Sequence, residues 1–179
     1  PIIALFNEYF GGGMNAIVFQ ELREARGLAY SASAVYASPY RLGGNESFYT
    51  YIITQNDKMM DCVREFNKLL NNVPVRQSGF DLAKQSLMKS LASQRTTKYS
   101  ILTSYLAAQR LGIDYSLSEK IYNALPSLQL QDVINFEKEY IANKPFKYII
   151  LGNEKELDLK ALEKIAPIKR VTTEEIFGY

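Results

Sequence analysis

The chain has 179 residues, of which 47% are hydrophobic and 22% are charged, a composition typical of a globular protein. Its 21 basic and 19 acidic residues are spread along the sequence, so the net charge of +2 gives no sign of nucleic-acid or anionic-membrane binding. Histidine is absent and Cys62 is the one cysteine, which excludes an internal disulfide, a cysteine-rich zinc site and a histidine base. The chain alone is therefore not expected to be a self-sufficient hydrolase.

Neither a membrane span nor a targeting segment is visible in the sequence. The longest apolar runs are a few residues, whereas a membrane helix needs about 20. No signal-peptide pattern follows Pro1, so the localisation of the protein cannot be read from its N-terminus.

The first predicted elements are two helices. Apolar residues recur at helical spacing over 2–10, and the glycines at 11–13 end that helix. The same spacing predicts a second helix over about 14–25, with Arg23 and Arg26 in its last turn and a stop at residue 27, a glycine.

The pattern then changes to that of a β-hairpin. Residues 30–40 and 46–55 are rich in β-branched and aromatic residues, and the turn residues between them predict antiparallel pairing. Asp57 is expected to cap a helix whose buried stripe runs from Met59 to Leu70. Cys62 lies beside that stripe, where a small core residue is favoured over a nucleophile.

The remainder is predominantly helical. A long periodic stretch over 80–111, in which apolar residues such as Ile101 and Tyr105 mark one face, is split in two by the polar block at 94–98. Further predicted elements are helices at 118–125, 131–141 and about 158–166, a buried strand at 146–151 and a short edge strand at 168–171.

This order of elements favours an α+β fold, a two-layer sandwich of an antiparallel-rich sheet covered by helices, over a doubly wound parallel sheet. Three strands make a thin sheet for so many helices, so we expect a first strand to precede Pro1. The absence of a repeat, a low-complexity tract or a linker predicts one domain over 1–179.

Two segments are candidates for function. The glycines at 11–13 precede a helix and are interpreted either as an anion-binding turn or, preferably, as a close-packed turn between helices. The segment ELREARGLAY at 21–30 places Arg23 at a helix end and Tyr30 at a strand start. Guanidinium and phenol groups both donate hydrogen bonds to an oxyanion, although Arg23 alone could equally pair with a neighbouring acid and Tyr30 could fill the core.

The stretch YFGGGMNAIVFQELREARGLAY resembles the signature of domains without a zinc motif in the insulinase/pitrilysin family of zinc metallopeptidases and their processing-peptidase relatives. The similarity continues through the hairpin segment to YIILGN at 148–153. It implies an α+β domain, here the C-terminal non-zinc domain of a longer peptidase, that closes a chamber around a peptide or an unfolded polypeptide. The zinc, held by an H-x-x-E-H helix, is then expected on another domain or subunit, which is the implied partner.

The same resemblance assigns roles to individual residues. Arg23 and Tyr30, seven residues apart, match the pair that binds the substrate carbonyl and the developing oxyanion opposite the metal. Gly11, Gly12 and Gly13 match a glycine-rich turn that touches substrate. No metal ligand is expected in this chain. The alternative is a non-catalytic scaffold or interaction domain of the same architecture, like the core proteins of respiratory complexes.

Overall fold

The structure, a computed structural model, describes residues 1–179, which form nine α-helices and two β-strands. Two of the helices, α1 and α2, each continue into a π-helical turn, at Asn7–Gly11 and Gln20–Glu24 respectively. Single 3-10 turns occupy Asn56–Lys58, Leu125–Ser127 and Glu154–Glu156. The elements are α1 (Ile2–Phe6), α2 (Ile17–Phe19), β1 (Ser31–Ala37), β2 (Ser47–Ile53), α3 (Met59–Asn71), α4 (Gln77–Ala92), α5 (Lys98–Leu111), α6 (Leu117–Ala124), α7 (Leu130–Tyr140), α8 (Leu159–Glu163) and α9 (Thr173–Phe177).

The core lies between one face of the hairpin and the helices. Along β1 the burial alternates, so that Ala32, Ala34 and Tyr36 face the helices while the residues between them are half-buried. The rings of Phe6 in α1 and Tyr36 in β1 lie 5.1 and 5.0 Å from that of Phe136 in α7, which joins the two layers. The chain therefore folds as a helical layer on a small antiparallel sheet.

The two edges of the sheet differ in their hydrogen bonding. β1 pairs antiparallel with β2, from Ser31 opposite Ile53 to Ala37 opposite Ser47. On the far side of β1, the Asn7 side-chain amide donates to the Tyr36 carbonyl at 2.9 Å and accepts from the Tyr36 amide at 2.8 Å. Asn7 thus forms with Tyr36 the pair of hydrogen bonds that a neighbouring strand would form. The outer edge of β2 has no such partner, since β1 is its only strand neighbour.

The two predictions of a strand after the hairpin are wrong. Residues 146–151 and 168–171 adopt no regular structure, and Ile149 is 91% exposed although the sequence predicted a buried strand. Only the first of these segments touches the sheet, through Phe146, whose ring lies 5.9 Å from that of Phe48. A strand needs a partner for its backbone groups, and neither segment has one.

The first eight helices match the predicted order with local differences, whereas α9 was not predicted. Asp57 caps nothing: it lies in the 3-10 turn Asn56–Lys58, and α3 begins at Met59 without a side-chain cap. The second helix begins at Ile17 rather than at residue 14, because Gly13 adopts a φ of +102° and the turn continues past it. None of the helices combines the length and the apolar character that crossing a bilayer requires.

Helix α5 presents its apolar residues to the outside. Its five large exposed apolar residues are Tyr99, Ile101, Leu102, Tyr105 and Leu106, and only Ser100, Ala108 and Leu111 are half-buried. The predicted apolar face therefore exists but does not cover the core of this chain.

Candidate functional site

The structure brings Arg23 and Tyr30 together. Helix α2 and its π-helical continuation end at Glu24, and Gly27, at φ +58°, turns the chain back so that the amide of Leu28 donates to the Leu22 carbonyl at 2.8 Å. Tyr30 then enters the sheet, with its amide donating to the Ile53 carbonyl at 2.8 Å. The two side chains meet at the surface, with Arg23 Cζ 5.7 Å from the centroid of the Tyr30 ring.

The Arg23 guanidinium packs on two aromatic rings and forms one long ion pair. Its Cζ atom lies 4.8 Å from the centroid of the Phe19 ring, one helical turn earlier, in addition to its contact with Tyr30. Such cation–π contacts involve the face of the guanidinium and leave its N–H groups free to donate at the edge. The nearest carboxylate, Glu24, is 3.8 Å from Nε, and the Tyr30 ring is 76% exposed.

Arg26, three residues further along, has a different environment. Buried Glu21 forms ion pairs with Arg26 through one carboxylate oxygen and with Arg76 of the α3–α4 connection through the other. Arg26 also donates to the Glu21 carbonyl at 3.0 Å and lies 3.4 Å from Glu65 of α3. This helix end therefore carries one arginine committed to the fold and one, Arg23, that is available to a ligand.

The three glycines of the turn are not equivalent. Gly11 is buried against β1 and presents no surface to a ligand, whereas Gly12 and Gly13 are exposed. The turn borders a shallow cavity of about 100 Å³ that is also lined by Glu8 and Ser86. It is tied to the second helix by Gln20, whose side-chain amide donates to the Met14 carbonyl at 2.6 Å.

A row of exposed apolar residues on β2 was not predicted from the sequence. Tyr49, Tyr51 and Ile53 project from β2 on the face of the hairpin that is turned away from the helices. Alternation in the segment ESFYTYII indicated a strand with two different faces, but the sequence alone could not show which face the helices cover.

The titratable groups elsewhere in the chain do not form a second site. Burial raises the pKa of the Cys62 thiol to about 11, which leaves it protonated and unreactive at neutral pH. Burial also raises the pKa of Glu137 on α7 to about 7, against a smaller lowering effect of Lys138. No three His, Cys, Asp or Glu side chains approach one another closely enough to hold a metal ion.

Comparisons with known proteins found similarity to one kind of domain. The family model described as "Peptidase M16 inactive domain" matches residues 2–87. Fourteen chains of solved structures match as well. One of them, the crystal structure of a peptidase M16 inactive domain from Pseudomonas fluorescens, superposes with a TM-score of 0.64 at 20% sequence identity over 80% of this chain. The present chain spans 38% of the length of that one.

These matches confirm the resemblance and the α+β fold that were inferred from the sequence. The comparison with curated proteins gave no match.

Proposed function

We propose, from the match of residues 2–87 to the peptidase M16 inactive domain, that this chain is the substrate-binding, transition-state-stabilising part of a zinc metalloendopeptidase. The residues of this chain do not fit a zinc ion, because histidine is absent and no metal-binding cluster exists. We therefore assign the zinc to another domain or subunit, and to this chain the task of holding the peptide or unfolded polypeptide.

The observation that carries the proposal is the exposed pair Arg23 and Tyr30, whose side chains share one place on the surface. In peptide hydrolysis the carbonyl oxygen of the scissile bond gains negative charge as the tetrahedral intermediate forms. The Arg23 guanidinium and the Tyr30 hydroxyl both donate hydrogen bonds, and Arg23 adds a positive charge. Both groups bind the neutral carbonyl oxygen, and they stabilise the negatively charged oxygen of the tetrahedral intermediate more strongly.

Preorganisation favours this role. The Cζ atom of Arg23 lies over the rings of Phe19 and Tyr30, 4.8 and 5.7 Å from their centroids. The backbone of Tyr30 is in turn fixed by the bond from its amide to the Ile53 carbonyl at 2.8 Å. Donors that are already in position when the charge develops need no reorganisation during the reaction.

The test is Tyr30→Phe in the assembled peptidase, that is, this chain together with its zinc-bearing domain or subunit. Loss of one such donor lowers kcat by about 100- to 1,000-fold. The matched control is Tyr99→Phe, since Tyr99 on α5 is 77% exposed and Tyr30 is 76% exposed. We expect circular dichroism to be unchanged in both variants and kcat to fall only in the first.

An unchanged kcat in Tyr30→Phe would remove the proposed role. The alternative function, a scaffold or interaction domain of the same architecture, predicts that result, because a scaffold has no use for an oxyanion-binding pair.

A further inference from the structure

We propose that the outer face of the β1–β2 hairpin binds an extended, uncharged peptide segment with apolar side chains, and that Tyr49 and Tyr51 select those side chains. This inference rests on the proposed function, because the peptide is taken to be the one whose carbonyl reaches Arg23 and Tyr30. It adds a specificity-determining surface to that site.

We use the word furrow for the outer face of the hairpin, where small side chains of β1 lie beside larger ones of β2. The register places the small residues Ser33 and Val35 of β1 opposite Tyr51 and Tyr49 of β2. Directly opposed residues in an antiparallel pair have Cβ atoms about 5 Å apart, so the two rings rise beside a strip of small side chains. An extended peptide that lies over β1 contacts the rings of Tyr49 and Tyr51 with every second side chain.

The chemistry of the furrow selects against charge. Neither strand, SASAVYA or SFYTYII, contains a charged residue. Tyr49 and Tyr51 are 57% and 63% exposed, so nothing within the chain covers their rings. A charged peptide side chain placed here loses hydration without gaining a partner, whereas an apolar one buries surface against a ring.

The proposed catalytic pair lies at one end of the hairpin. Tyr30 directly precedes β1, and its amide donates at 2.8 Å to the carbonyl of Ile53, the last residue of the row on β2. Tyr51 and Tyr49 lie opposite the third and fifth residues after Tyr30. With a rise of about 3.3 Å per residue, the two rings meet peptide side chains about three and five residues from the cleaved bond.

The size of the face favours a peptide over a second copy of the chain. Seven residues of strand at about 3.3 Å each and two strands about 4.8 Å apart give a face of roughly 200 Å². A stable interface between two proteins buries about 800 Å² on each partner, so the hairpin is too small to hold a dimer. One extended segment fits it.

Binding can be measured on the 179-residue chain itself, without zinc and without turnover. The probes are two blocked heptapeptides, acetyl-Gln-Leu-Gln-Leu-Gln-Leu-Gln-amide and the same sequence with Glu in place of Leu. Each is titrated into ¹⁵N-labelled protein and followed through backbone amide shifts. We expect the leucine peptide to shift amides of 31–37 and 47–53 and the glutamate peptide to bind at least tenfold more weakly.

Two double variants test whether the rings of Tyr49 and Tyr51 contribute to peptide binding. Tyr49→Ser with Tyr51→Ser should weaken binding of the leucine peptide about tenfold or more, because both anchors are lost. The matched control, Tyr99→Ser with Tyr105→Ser, also removes two exposed tyrosines but from α5, and should leave binding unchanged. Circular dichroism verifies that all variants are folded.

The inference is overturned if the hairpin amides do not shift, if both peptides bind equally, or if the two double variants behave alike. If binding fails in this way while Tyr30→Phe still lowers kcat in the assembled peptidase, only the furrow is lost and the proposed function stands. If Tyr30→Phe leaves kcat unchanged while the peptide binds the hairpin, the furrow is a peptide site without the catalytic role.

Discussion

A Cβ atom at Gly11 would lie 1.9 Å from the carbonyl oxygen of Ala34. The end of the first helical segment is thus in direct backbone contact with the middle of β1, and a side chain of any size would separate them. This contact holds the exposed part of the glycine turn, Gly12 and Gly13, beside the hairpin.

The first prediction concerns that contact. Gly11→Ala should lower the free energy of unfolding by about 3 kcal/mol, because the obstructing atom is backbone and cannot rotate away. The matched control is Gly79→Ala in α4, where the nearest atom to the new Cβ is Tyr9 Cε2 at 3.6 Å. Since alanine is the better helix former, that variant should gain up to about 1 kcal/mol. Urea unfolding measures both, and equal effects would contradict the prediction.

The second prediction separates Arg23 from the ionic cluster beside it. Glu21→Gln should cost about 1–3 kcal/mol of unfolding free energy, because Arg26 and Arg76 both lose a buried carboxylate partner. Arg23→Gln should change stability by less than about 0.5 kcal/mol, since its only ion pair, with Glu24, spans 3.8 Å at the surface. The measurement is again urea unfolding at neutral pH. A large loss of stability in Arg23→Gln would show that Arg23 serves the fold.

The third prediction concerns Glu137, whose Oε1 atom is buried without a hydrogen-bond partner. Burial raises its pKa from 4.5 to about 7, so the folded chain binds this proton more tightly than the unfolded chain does. The resulting stabilisation is fully present below about pH 4.5 and is lost as the pH rises through about 7.

Glu137→Gln should therefore unfold like the natural chain at pH 4 and be more stable at pH 8, by up to about 3 kcal/mol. Glu139→Gln, on the same helix but exposed, is the control and should show no such pH dependence. Urea unfolding across this pH range measures the difference. A constant difference between pH 4 and pH 8 would contradict the assignment.

The meeting of Arg23 and Tyr30 could be predicted because it depends on local geometry. A helix that ends in a glycine turn and leads directly into a strand keeps the last helical side chains close to the first strand residue. Only a few residues separate the two elements, so the rest of the fold has little influence on the distance between them.

Other features depend on neighbours that the local sequence does not specify. The apolar residues of 146–151 have the composition of a strand, but hydrogen-bonding partners decide whether a strand forms, and the segment has none. The apolar face of α5 shows the same dependence, since periodicity identifies a face but not the surface that covers it. The outward position of Tyr49 likewise followed only from the placement of the helices.

The Asn7 side-chain amide pairs with the backbone of Tyr36 and so makes the β1 edge of the hairpin less accessible to a further strand than the β2 edge. A polypeptide that approached the β1 side would have to displace the Asn7 side chain from the amide and carbonyl of Tyr36. The β2 side offers its groups without competition. A further strand that pairs with this sheet is therefore expected to hydrogen-bond to β2, the strand that carries Tyr49.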